Sequence, residues 1–373
     1  LKIAVNTRLL LANRLDGIAW FAVETLKRMC LNNPNCEFHF FFDRKFDKQF
    51  LFADNVIPHV LFPQARHPFL YYWWFEFSVT VQLKKIKPDL FLSPDGFLSL
   101  RTATPSLPVI HDINFQHFPE DFDFLSGNYY NYFFPKFAEK AKRIATVSEF
   151  SKKDIVEHYN IDPTKIDVVY NGINENYRVL QKEEKEKVRA KFSNGAPYFI
   201  FVSTLIPRKN VVRLLKAYGE FQRAGGEEMF IMVGNKKWWT SDMEKALQSV
   251  PEIDKVIFTG YIDQKDLYAL VGSATAMTFV PYFEGFGIPI IEAMQAGTAV
   301  ITANASATAE VAQDAARLVD PYDVTAISKA MLELSNSEEL RNEMIGKGLK
   351  RAIHFSWDKS ADLLWDSIQK CIH

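Results

Sequence analysis

Net charge, cysteine and long apolar runs are all scarce in this chain. Its 44 Lys and Arg almost cancel its 45 Asp and Glu, so no overall field recruits nucleic acid or an acidic polymer as partner. Cys30, Cys36 and Cys371 are the only cysteines and form no CxxC pair. A sparse, odd set fits a reducing, cytoplasmic setting better than a disulfide scaffold or a thiolate metal centre. No apolar run reaches the roughly 18 residues that a membrane-spanning helix needs. The opening LKIAV reads as a strand rather than a leader peptide. It carries no initiator Met, so processing of the chain is expected.

What is present is a soluble α/β pattern. At 373 residues the chain suits two domains of ordinary size. Short apolar, mostly β-branched runs (KIAVN, DLFLS, SLPVIHD, RIATVS and DVVYN, then YFIFVST, MFIMVG, KVIFTG, ATAMTFV and TAVITA) read as buried strands. Amphipathic stretches such as WFAVETLKRMC and VVRLLKAYGEFQRA lie between them. This alternation predicts parallel sheets covered by helices, in a doubly wound arrangement. The charged stretch VLQKEEKEKVRAKFSNGAP reads as a linker. It divides the chain into domains at 1–178 and 179–355, with a last helix at 356–373. That helix carries an apolar seam of Leu363, Leu364, Ile368 and Ile372 and must pack on something. The aromatic run HPFLYYWWFEFSVTV at 67–81 is either core or a half-wet patch and acceptor groove.

Open parallel sheets bind ligands at the carboxyl ends of their strands, so candidate residues are sought there. In YFEGFGIPIIEAMQAGTAVI, a strand end leads through FEGFG into a helix that Pro289 starts and Gly297 caps. Glu284 falls in the loop and Glu292 in the first helical turn. The amides of Phe286, Gly287 and Ile288 lie where an anion or a sugar hydroxyl would bind. The alternative for Glu292 is a dipole partner contributing roughly 0.3–1 kcal/mol. Arg208 and Lys209 follow the strand YFIFVST and suit a diphosphate, although such pairs are commonly solvated. His111 and Asp112 follow SLPVIHD, and Gly17 opens a helix after the first strand. Asp121 to Asp123 spell a D-x-D metal motif in an aromatic loop, more readily a coincidence than a site. The segment GFGIPII begins like a dinucleotide fingerprint, but isoleucine replaces its third glycine and no acid ends the next strand. An oxidoreductase is therefore a lesser alternative.

Together, GIAWFAVETLKRM, KPDLFLSPDG, PVIHDINF, RIATVSEFSKKDI, VVYNGIN, PRKNVVRLLKAY, the E-x7-E segment, AEVAQDAARLVDPYD and FSWDKSA resemble glycosyltransferase family 4. These are retaining nucleotide-sugar enzymes of the GT-B fold, in which two Rossmann-like domains face one another across a cleft. The pattern looks closest to bacterial mannosyltransferases of surface-polysaccharide assembly. The resemblance implies a nucleotide-sugar donor, GDP-mannose by subgroup likeness, and a glycan or lipid-linked acceptor. It implies no cofactor and no metal, and peripheral association with the inner face of the cytoplasmic membrane. By match of position, Glu292 would accept from the ribose and Glu284 would lie against the donor sugar. The amides of Phe286, Gly287 and Ile288 would meet sugar hydroxyls and phosphate. Arg208 and Lys209 would clamp the diphosphate, Gly17 would belong to a loop closing on it, and His111 would lie near the reaction centre. Ser203-Thr204 replaces a common Gly-Arg, which removes one cation, and Glu310 keeps the acid of a further motif. An epimerase of the same fold and a silent nucleotide-sugar binder remain alternatives.

Overall fold

The computed structural model describes residues 1–12, 15 and 17–373. The chain forms two compact units, 1–172 with 356–373, and 173–355. The division falls after Gly172 rather than after residue 178. The expected linker is instead part of the second unit. Its helix Lys182–Phe192 is tied down by Arg189, which donates to the Ser273 carbonyl at 3.0 and 3.1 Å. Lys191 also pairs with Asp266 at 2.8 Å.

In the first unit, β1 (Lys2–Asn6), β2 (Glu37–Phe42), β3 (Val56–Val60), β4 (Leu90–Ser93) and β5 (Ser106–Pro108) form a parallel sheet ordered β3-β2-β1-β4-β5. A parallel bridge from Val109 to Ala145 continues it into β6 (Ile144–Thr146) and β7 (Ile166–Val168). The last helix, Trp357–Ile372, belongs to this unit. It buries Leu364 and Ile368 and sets Trp357 edge-on to Phe21 at 6.2 Å. Gly172 lies against it so closely that a Cβ would come within 2.3 Å of the Trp357 nitrogen, so only glycine fits there.

The second unit holds β8 (Tyr198–Val202), β9 (Met229–Val233), β10 (Val256–Gly260), β11 (Ala276–Phe279), β12 (Ala299–Ala303) and β13 (Arg317–Val319), all parallel and ordered β10-β9-β8-β11-β12-β13. Its central strands are apolar on both faces because helices cover both sides. The strand order of each sheet therefore reverses between its first and fourth strands, and ligands of doubly wound sheets bind at that reversal. Among the described residues, no helix is long and apolar enough to cross a membrane.

Candidate functional site

At the reversal in the second unit, the loops after β8 and β11 meet. The first makes a tight turn, Pro207–Lys209, ended by Asn210 in the left-handed region (φ +63°). The buried Asn210 amide donates to the carbonyls of Val280 at 3.0 Å and Pro321 at 2.7 Å, stitching the turn to the loops after β11 and β13. Arg208 and Lys209 are thereby held against Glu284. Arg208 Nη1 donates to the Phe283 carbonyl at 2.9 Å and to Glu284 Oε1 at 3.2 Å. Lys209 Nζ pairs with the same Glu284 oxygen. The three side chains are only 14%, 12% and 11% exposed, so their charges act through a medium less screening than water. Two cations share one carboxylate, which leaves the cluster net positive. Glu284 is itself fixed by its backbone, whose N–H donates to Ser306 Oγ at 3.1 Å.

Beyond Glu284 the chain turns into the helix Ile288–Gln295 through Gly287, at φ +99°. A Cβ on Gly287 would lie 2.9 Å from Ile290 Cδ1, so the entry requires glycine on both conformational and steric grounds. Pro289 is the second helical residue rather than the first, and the Ile290 amide is taken by the Gly287 carbonyl at 3.0 Å. Neither Pro289 nor Ile290 therefore offers an amide at this N-terminus. The Phe286 side chain is buried edge-on to Phe355 at 5.6 Å, so only its backbone can face a ligand. Gly297 follows the helix at φ +67°, the left-handed terminus expected of it.

Glu292 is the fifth residue of this helix, in its second turn rather than its first. That weakens its reading as a dipole partner, an effect confined to the first turn. Burial pushes its carboxyl up to about 7, while the Tyr177 phenol beside it partly restores the charged form. The same contact, with burial first, raises Tyr177 well above its ordinary value. Tyr177 and Asn210 were not found from sequence. The only signals were a tyrosine after VVYNGIN and an asparagine before a helix, both common. Glu310 lies on the helix Ser306–Ala312, and its carbonyl accepts from Arg351 at 3.1 Å.

In the first unit, His111 follows β5. Its Nε2–H donates to the Pro94 carbonyl at 2.9 Å and its ring meets Phe21 edge-on at 5.1 Å. Because a carbonyl can only accept, Nδ1 of the neutral ring is set as an acceptor. Asp112 is engaged in its own turn, accepting from the Asn114 amide at 3.0 Å. Gly17 is the first residue of the helix Gly17–Asn32. Parts of the loop before it (residues 13, 14 and 16) lie outside the described residues. Asp123 of the D-x-D sequence caps the helix Phe124–Lys140, accepting from Ser126 at 3.0 Å, and that bond holds its carboxyl below the ordinary value.

The sequence reading also missed a buried cluster where β1 and β4 end. Arg8 Nε donates to Asp95 at 2.7 Å, and Asn6 donates to Asp95 at 2.7 Å and to Ser93 at 3.0 Å. The guanidinium lies over the Tyr71 and Phe97 rings, 4.9 and 4.4 Å from their centroids. Burial opposes its charge, yet Asp95 keeps its proton affinity above the ordinary value. The aromatic run divides between core and surface. Trp74 and Phe75 are core, while Phe69 and Trp73 are exposed. Phe69, Tyr72, Leu125, Tyr132 and Phe133 line an open groove of about 520 Å³.

Two family models match the chain, "Glycosyltransferase Family 4" over residues 17–177 and "Glycosyl transferases group 1" over 182–351. It is similar to O-antigen chain mannosyltransferase B of Escherichia coli, 27% identical over 278 residues, 74% of this chain and 73% of that one. The serotype-specific mannosyltransferase WbdA of Escherichia coli is 25% identical over 63% of this chain, which spans only 30% of its length. Among solved structures, sucrose-phosphate synthase of Thermosynechococcus elongatus superposes with TM-score 0.79 over 99% of this chain and 98% of that one, at 15% identity.

Proposed function

Because the chain belongs to the glycosyltransferases of family 4 and group 1, with the GT-B fold, we propose that it moves mannose from GDP-mannose onto a glycan or lipid-linked acceptor of surface-polysaccharide assembly, with retention at the anomeric carbon. The observation that carries this reading is the convergence of Arg208 and Lys209 on Glu284 at the sheet reversal. Breaking a glycosyl–phosphate bond builds negative charge on the departing diphosphate. Preorganised cations and amides lower that barrier without reorganising during the step. Arg208, Lys209 and the Gly287–Ile288 amides are the groups suited to it, so no metal is required in this reading. Glu284 would orient the sugar while tempering two adjacent cations. Glu292, ionised, would accept from the ribose, and His111 Nδ1 from a sugar hydroxyl. The mannosyl relatives support the donor choice. The aromatic groove in the first unit supports an acceptor with apolar faces, presented at the inner membrane surface.

A thermal-shift panel of GDP-, UDP- and ADP-sugars tests the donor, since a ligand bound to the folded state raises apparent stability by mass action. GDP-mannose is expected to stabilise most. Stabilisation by UDP-sugars alone rejects the choice.

A further inference from the structure

Away from the residues assigned to the donor, the first unit brings two histidines and an aspartate to one point. Asp154 and His158 lie four residues apart on the helix Glu149–Tyr159, and so on one face of it. His117 ends the short helix Asn114–His117. His117 Nε2 stands 2.8 and 2.9 Å from the two Asp154 oxygens, and His158 Nδ1 stands 3.1 Å from Asp154 Oδ1. The imidazole centroids are 4.7 Å apart and the rings nearly perpendicular. One ligand atom from each of the three residues falls within 4.8 Å of the others. Asp154 is buried, while both imidazoles are partly exposed, so the point opens to solvent.

We propose that His117, Asp154 and His158 form a binding site for a transition-metal dication of the Zn2+ class. Ligands about 2.0–2.1 Å from a tetrahedral Zn2+ are separated from one another by roughly 3.3 Å. Two of the three edges already stand at 2.8 and 3.1 Å and the third is within 4.8 Å. The ion takes the place of the proton that His158 Nδ1 shares with the Asp154 backbone carbonyl, 3.0 Å away. Imidazole and carboxylate together suit Zn2+, Co2+ or Ni2+, whereas Mg2+ and Ca2+ take oxygen ligands. The ion replaces protons, because ligating imidazoles must be neutral and the carboxylate ionised. Solvent supplies the fourth position.

The site ties the helix Glu149–Tyr159 to the segment that follows His111 and Asp112. The same helix already reaches that segment through Ser151, whose Oγ donates to the His111 carbonyl at 3.0 Å. The ion is therefore a structural clamp on the loop that carries His111, and no reaction step passes through it. This proposal stands apart from the donor assignment and does not depend on it.

The test uses the full chain, stripped by chelator and checked for folding by circular dichroism, then titrated with Co2+. One equivalent is expected to give ligand-field bands of four-coordination, to be displaced by Zn2+, and to raise the melting temperature. His158→Ala removes only a partly exposed side chain and is expected to weaken uptake by about 10-fold or more. Asp154→Asn is a second variant for the same loss. His39→Ala/His59→Ala removes the other close histidine pair, 3.0 Å between ring nitrogens, and is expected to keep the bands. No uptake by the wild type overturns the proposal, as does uptake that both His158→Ala and Asp154→Asn retain unchanged.

Discussion

The two sheet reversals carry the same ingredients in different proportions. Where β1 and β4 end, one arginine meets one aspartate, with Asn6, Ser93 and the rings of Tyr71, Phe75 and Phe97 around them. Where β8 and β11 end, two cations share one glutamate beside a helix N-terminus. The first cluster is neutral, buried and stacked, and holds its loops together. The second is net positive and partly accessible, which suits a bound anion. We read the first as a lock and propose the second as a clamp, the ratio of charges being what separates them.

Breaking the lock gives the largest effect on folding. Arg8→Ala leaves Asp95 buried and unpaired, and is expected to cost about 3–5 kcal/mol by urea unfolding. Arg8→Ala with Asp95→Asn is expected to recover a large part. Should the single variant unfold like the wild type, the cluster is not a lock. Breaking the clamp inverts the pattern: Lys209→Ala is expected to lower turnover about 100-fold while shifting the urea midpoint little. Equal losses in rate and stability would make the second cluster structural as well.

Glu292 sharpens the comparison through pH. Its folded-state value of about 7 lies above the ordinary carboxylate value. The free protein therefore loses stability from this group as pH rises from about 4.5 to 7, and not beyond. Glu292→Gln removes that penalty, and a gain of about 1–2 kcal/mol is expected at pH 8, discounted for the residue's partial exposure, with only about a quarter of it at pH 5. The same change should weaken nucleotide binding about 10-fold at pH 8. Wild-type affinity should rise between pH 6 and 8 as the carboxylate ionises. A variant no more stable at pH 8 than at pH 5 would remove the buried charge from the explanation. The smallest effect belongs to Asp123→Ala, which loses a helix cap and about 1 kcal/mol. Turnover and its indifference to added Mg2+ should be unchanged.

Ten strands were legible in the sequence because apolar, largely β-branched runs mark strands buried on both faces. The three that were not are instructive. β2 is EFHFFF, rich in phenylalanine and without a β-branched residue. β3 contains Pro58 and is an edge strand, where proline is tolerated. β13 is three residues long and also an edge. Arg208, Lys209 and Glu284 were legible as strand-end residues, and their mutual pairing was not. That pairing spans 75 to 76 positions, as Arg8 to Asp95 spans 87, and no local pattern encodes such distances. Glu292 was found by its spacing from Glu284, but its environment depends on Tyr177, a residue just before the stretch read as linker.

Calorimetric titration of GDP into the wild type and into Arg208→Ala/Lys209→Ala tests the clamp most directly, because it needs neither acceptor nor turnover. The double variant leaves the Glu284 carboxylate without its two cations and is expected to lose stability, to remain folded at about 25 °C, and to bind GDP at least about 10-fold more weakly. Unchanged GDP affinity in a folded double variant would contradict the assignment of the second sheet reversal to the donor diphosphate.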